Sequence, residues 1–123
     1  LIIDAEVDLQ TVLKYNLTQA GYEVYSALLG EEGLHLAAER LPSIILLDFT
    51  LPDISGPQIC RTLKSDLRTA NIPILMLTAR GEETDRTASA ELGADAYLIK
   101  PFSIRELVLQ LTTISHRHFP APE

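Results

Sequence analysis

Short apolar runs alternate with longer stretches in which apolar residues recur at helical intervals, and few architectures accommodate that alternation. The runs at residues 1–4, 22–27, 44–48, 74–78 and 96–99 have the length of strands. Three of them are nearly all apolar, as strands covered on both faces should be. Between them Leu9, Val12, Leu13 and Leu17 fall at helical spacing, and Ile104, Leu107, Val108 and Leu111 do so again towards the end. Each set predicts one core-facing stripe. The punctuation agrees: Gly21 follows the first helical stretch, Pro42 and Pro73 precede the third and fourth strands, and Ser103 with Glu106 forms a capping-box pair. Five such units predict a doubly wound α/β sandwich, a parallel sheet with helices on both faces and ligands at the carboxyl ends of the strands.

At 123 residues the chain has the size of one domain, and its 46% hydrophobic and 22% charged residues are ordinary globular composition. A net charge of −7 makes it a poor partner for phosphate backbones or anionic membranes, so neither direct nucleic-acid binding nor membrane binding is expected. The single cysteine, Cys60, excludes an internal disulfide framework and leaves too few thiols for a common zinc site. No apolar run approaches the roughly 18 residues of a membrane span, and no charged leader precedes an apolar stretch. The expected compartment is the cytoplasm.

Reading only the strand ends collects Asp4, Asp48, Thr78 and Lys100: two carboxylates, a hydroxyl and a cation. Neighbouring strands lie roughly 4.8 Å apart, so side chains at successive strand ends can converge on one small pocket. Such a set can handle a phosphate: Asp48 as the nucleophile that forms an acyl phosphate, Lys100 and the Thr78 hydroxyl as binders of the transferred oxygens. Singly, each has a plain structural reading, as a turn aspartate, a strand threonine and a solvated loop lysine. Their joint placement points to chemistry. A flavodoxin-like enzyme or nucleotide-binding domain would need a Gly-rich phosphate loop after the first strand, which is missing.

Three motifs carry a family resemblance. The stretches Leu46-Leu47-Asp48-Phe49-Thr50-Leu51-Pro52-Asp53-Ile54-Ser55-Gly56, Met76-Leu77-Thr78-Ala79-Arg80 and Gly93-Ala94-Asp95-Ala96-Tyr97-Leu98-Ile99-Lys100-Pro101-Phe102 resemble the phosphoacceptor, hydroxyl and lysine motifs of two-component response-regulator receiver domains. Nearest in style is the winged-helix transcription-factor branch. The resemblance implies a flavodoxin-like five-stranded sheet, order 2-1-3-4-5, flanked by five helices. It implies that Asp48 takes a phosphoryl group from a histidine kinase or phosphotransfer protein, with Thr78 and Lys100 binding it. Thr78 and Tyr97 would then switch the face built from the fourth helix, fifth strand and fifth helix, which controls an output domain or partner protein. Tyr97 also has a plain reading, as a half-buried strand aromatic. Lys100-Pro101 resembles the family's cis peptide, and Pro101 and Gly56 are structural. Such a domain is not an enzyme beyond catalysing its own phosphorylation and dephosphorylation. Residues 1–115 are read as the receiver domain and 116–123 as the start of a Pro-containing linker or tail, in a piece of a longer protein.

The first departure from the pattern is at the first strand. The family ends it with two adjacent acidic residues, the second a direct magnesium ligand, whereas this chain has Asp4-Ala5-Glu6. The remaining implied ligands are Asp4, Asp48 and the backbone carbonyl of Thr50, with Glu6 as a further acid acting through water. Ala5 is therefore expected to leave Mg2+ binding weak or absent. The alternative function is a pseudo-receiver, a protein-interaction domain independent of phosphorylation. A second departure concerns dimers. Where the transcription-factor branch carries a charged lock, Gln110, Thr112 and Ala96 stand, and only Glu106 and Asp95 survive. Any dimer through that face is expected to lack the usual lock, with Leu109 as a less polar contact.

Overall fold

The computed structural model describes residues 1–79 and 93–118. Its elements are β1 (Ile2–Ile3), α1 (Val7–Gln19), β2 (Ser26–Ala27), α2 (Gly30–Arg40), β3 (Ile45–Asp48), α3 (Gly56–Ser65), β4 (Ile74–Ala79), β5 (Ala96–Lys100) and a C-terminal helix (Ile104–His118). The strands pair in parallel in the order β2-β1-β3-β4-β5. That is the expected sheet; the expected helix between β4 and β5 lies outside the described residues.

Alternation along each strand divides the core in two. Ile3, Ile45, Leu47, Ile74 and Met76 point to one face and pack with Ala37 of α2 and with Ile59, Cys60 and Leu63 of α3. Ile2, Leu46, Leu75 and Leu77 point to the other, against Leu13 and Leu17 of α1 and Leu107, Leu111 and Ile114 of the C-terminal helix. Burial on both faces is the reason these strands read as continuous apolar runs.

Several details depart from the expected boundaries. The run at 22–27 forms a strand only at Ser26–Ala27, because β2 is an edge strand with β1 as its one neighbour. In α1, Val12 is 47% exposed, while Gln10 is buried on the stripe with Leu13 and Leu17. The C-terminal helix runs to His118, and the buried Ile114 extends its core-facing stripe by another turn. No helix among the described residues is long and apolar enough to cross a membrane.

Gly56 sets the shape of the loop between β3 and α3. Its amide donates to the Phe49 carbonyl at 2.9 Å, and a Cβ there would collide with the backbone of Asp48 and Phe49. Ser55 caps the helix that follows, its hydroxyl accepting from the Gln58 amide. The colliding atoms are backbone and have no rotamer to move to. Gly56→Ala is therefore expected to lower stability by about 1–3 kcal/mol, read as a lower urea midpoint.

Candidate functional site

The polar residues that closed the apolar runs gather at the carboxyl edge of the sheet. Asp4 follows β1, Asp48 ends β3, Thr78 precedes the last residue of β4, and Lys100 ends β5 in register with Ala79. Four of the expected groups meet in one ion cluster. The Lys100 Nζ donates to Asp4 Oδ2 at 2.8 Å and to Glu6 Oε2 at 2.8 Å, and stands 3.4 Å from Asp48 Oδ2. Backbone amides fix the other carboxylate oxygens: Glu6 N donates to Asp4 Oδ1 at 2.9 Å, and Thr50 N to Asp48 Oδ1 at 3.2 Å. Asp4 is fully buried and Asp48 nearly so, whereas Glu6 sits at the rim, 62% exposed.

Thr78 is buried, and its hydroxyl has no hydrogen-bond partner among the described residues. Such a group costs roughly 1–3 kcal/mol unless something pairs with it, and its place beside β3 and β5 makes it available to a bound oxyanion. Pairing of Met76 with Tyr97, together with the two-residue period, puts Thr78 and Tyr97 on the same face of the sheet. Tyr97 is half-buried there against the α3-side core. The Lys100–Pro101 peptide is cis.

Burial works against the ionised Asp48, and the charge of Asp4 adds to it; Lys100 and the Thr50 amide oppose both. The balance raises Asp48 to about 6, so the carboxylate is mostly ionised at neutral pH, as a nucleophile must be. Burial also disfavours the Lys100 ammonium, but hydrogen bonds to Asp4 and Glu6 and the charge of Asp48 outweigh it and raise its pKa. Lys100 is a permanent cation.

A magnesium ion would need roughly six oxygens at about 2.1 Å. Ala5 contributes no side-chain oxygen, and the Asp4 and Glu6 oxygens that face the pocket are bonded to an ammonium. The residues present do not fit the ion.

Two polar residues of this edge escaped the sequence reading. Gln10 Nε2 donates to the carbonyls of Ile2, Asp4 and Ala27, tying the ends of β1 and β2 beneath the acidic residues. Its position on the stripe with Leu13 and Leu17 is a local signal for burial. Asp53 accepts from the Gly30 and Glu31 amides at 2.8 and 3.0 Å, anchoring the loop after β3 to the start of α2. Those amides hold its carboxyl below the ordinary range, and their distance along the chain leaves no local signal.

Residues 1–112 match the response regulator receiver domain family. This chain belongs to that family. The receiver domain is 41% identical over 119 residues to the phosphate regulon transcriptional regulatory protein PhoB of Rhizobium meliloti (strain 1021), covering 97% of this chain and 52% of that relative. It thus spans about half the relative's length. A structure assigned as a response regulator from Chloroflexus aurantiacus is 39% identical with a TM-score of 0.86, covering 92% of this chain and 93% of that one. The receiver domain of the Francisella response regulator 1452 is 25% identical with a TM-score of 0.85, covering 94% of each chain. Receiver domains generally take a phosphoryl group on an aspartate, bind Mg2+ and interact with histidine kinases or phosphotransfer proteins and with output domains.

The raised pKa of Asp48 has a signed consequence. Its value in the fold, about 6, lies above the ordinary 3.8, so folding disfavours the ionised carboxylate fully above pH 6 and not at all below about 3.8. Asp48→Asn in metal-free buffer should therefore raise stability at neutral pH by on the order of 2 kcal/mol. The gain should shrink as pH falls and vanish near pH 4, which urea midpoints across that range will check. A gain independent of pH would rule out the buried charge as its source.

Proposed function

We propose that this receiver domain accepts a phosphoryl group on Asp48 from a histidine kinase or phosphotransfer protein and switches the face that includes β5 and the C-terminal helix. The observation that supports this is the placing of an ionised, nearly buried carboxylate 3.4 Å from a cation, beside a buried hydroxyl that has no partner among the described residues. An Asp48 oxygen bonds to phosphorus as the phosphorus–nitrogen bond of the donor phosphohistidine breaks, and the imidazole leaves with the bonding pair and takes a proton from solvent. Lys100 then pairs with the phosphoryl oxygens, and the Thr78 hydroxyl donates to one of them. Movement of Thr78 on the face it shares with Tyr97 is the link from the site to the output surface. Magnesium assistance is weak or absent in this reading. Similarity to a transcriptional regulatory protein supports control of transcription through an output module outside this domain. The compartment is the cytoplasm.

Among the described residues, that surface carries Gln110, Thr112 and Ala96 where the transcription-factor branch has its charged lock. Asp95, one of its two survivors, turns inward, accepting from the Ile74 amide at 2.8 Å with Lys64 at 3.6 Å. Leu109, 66% exposed on the C-terminal helix, offers an apolar contact instead.

Ala5 favours a second reading, a pseudo-receiver whose state is set by protein binding. Incubation with acetyl phosphate and magnesium separates the two. The expected outcome is an acid-stable, base-labile mass increase of one phosphoryl group, absent in Asp48→Asn and formed at least about tenfold faster in Ala5→Asp. Modification of the Ala5→Asp variant with none in the natural chain would establish the pseudo-receiver.

A further inference from the structure

The geometry points to Lys100 as a resident cation that closes the acidic pocket to divalent ions. Three carboxylates surround its ammonium: Asp4 and Glu6 each at 2.8 Å, and Asp48 at 3.4 Å. Two of them are not free to turn away, while Glu6 closes the pocket from the rim with its side chain 62% exposed. Asp4 is fully buried with its second oxygen held by the Glu6 amide, and Asp48 has its second oxygen held by the Thr50 amide. The lysine itself is rooted in the last register position of β5 and its side chain is only 18% exposed.

A dication could enter in two ways, and both are unfavourable. It could displace the ammonium, which would strip buried Asp4 of its hydrogen-bonded counter-charge and spend the ion's dehydration on a set to which Ala5 adds no oxygen. Or it could share the pocket with the ammonium at a few ångströms, where the effective dielectric is far below that of water and like charges repel strongly. The Asp4 and Glu6 side chains thus serve as ligands of an internal cation. The inference rests on reading this pocket as the phosphoacceptor site, and it adds that the positive charge there comes from the chain itself.

The test uses no phosphoryl donor, so its result is independent of whether Asp48 is ever phosphorylated. Magnesium and manganese chloride are titrated calorimetrically, and by thermal unfolding, into the natural chain and Lys100→Met. The natural chain should show no saturable binding and no rise in Tm at millimolar magnesium. Lys100→Met should bind at least about tenfold more tightly and be stabilised by the ion. If loss of the ammonium leaves Lys100→Met partly unfolded, a magnesium-dependent gain in folded fraction reads the same affinity. A measurement on the natural chain alone completes the test: the Lys100 ammonium signal in proton–nitrogen correlation spectra should be protected from exchange and unmoved by millimolar magnesium. Tight magnesium binding by the natural chain, displacement of the Lys100 signal, or binding by Lys100→Met no tighter than by the natural chain would each overturn the inference.

Discussion

The ammonium of Lys100 joins the end of β5 to the acids that follow β1. It leaves the end of β5, at one side of the sheet, and passes the tops of β4 and β3 to reach the acids that follow β1. The contact between Asp4 and Lys100 spans nearly the whole described chain, and it exists only because five parallel strands set their carboxyl ends along one edge. The rest of the site is arranged around that cation. Asp4 can be buried because Lys100 reaches it, and Asp48 can remain ionised at neutral pH because Lys100 and the Thr50 amide offset part of the cost of burial. A pair so situated is an uncertain source of net stability, because desolvation cancels much of the attraction. Its value is positional: it fixes where the carboxylates and the cation stand before any ligand arrives.

Much of this was legible in the sequence because parallel sheets impose a simple pattern. Strands covered on both faces must be apolar, so the first polar residue marks the end of the strand, and that end is where the fold places its chemistry. Asp4, Asp48, Thr78 and Lys100 were identifiable from that rule, and the structure brings three of them into one cluster with Glu6. Helix faces were harder. Hydrophobicity alone placed Val12 on the buried stripe of α1, yet the position facing the sheet belongs to Gln10, because the carbonyls at the ends of β1 and β2 need a donor there. Asp53 was invisible for another reason: its partners are the amides of α2, and nothing in its own neighbourhood shows that they come close. Local periodicity carries no record of contacts made by topology.

The two unusual energies of the site have one physical source. Asp48 titrates well above an ordinary aspartate, and the Thr78 hydroxyl is buried without a partner among the described residues. Each is a place where the fold forgoes stability that Asn or Val would have given. A phosphoryl group on Asp48 would relieve both, replacing a partly desolvated carboxylate with an acyl phosphate whose oxygens can meet Lys100 and the threonine hydroxyl. The energy available for a conformational change is then the difference between two local arrangements of the same residues.

Ala5 sharpens that argument. In a pocket with a carboxylate at this position, a metal would compete with Lys100 for the acidic oxygens, and phosphorylation would hand the lysine from carboxylate to phosphate with the metal still present. Here Lys100 is bound by Asp4 and Glu6 more closely than by Asp48, so it can move to a phosphoryl group only by loosening two contacts at 2.8 Å. Asp4 would then lose the counter-charge that permits its burial. The cost of that exchange opposes phosphorylation, and the same cost stabilises the unphosphorylated arrangement. Glu6 thus strengthens the hold on the lysine, and the resting arrangement of this pocket follows from that hold.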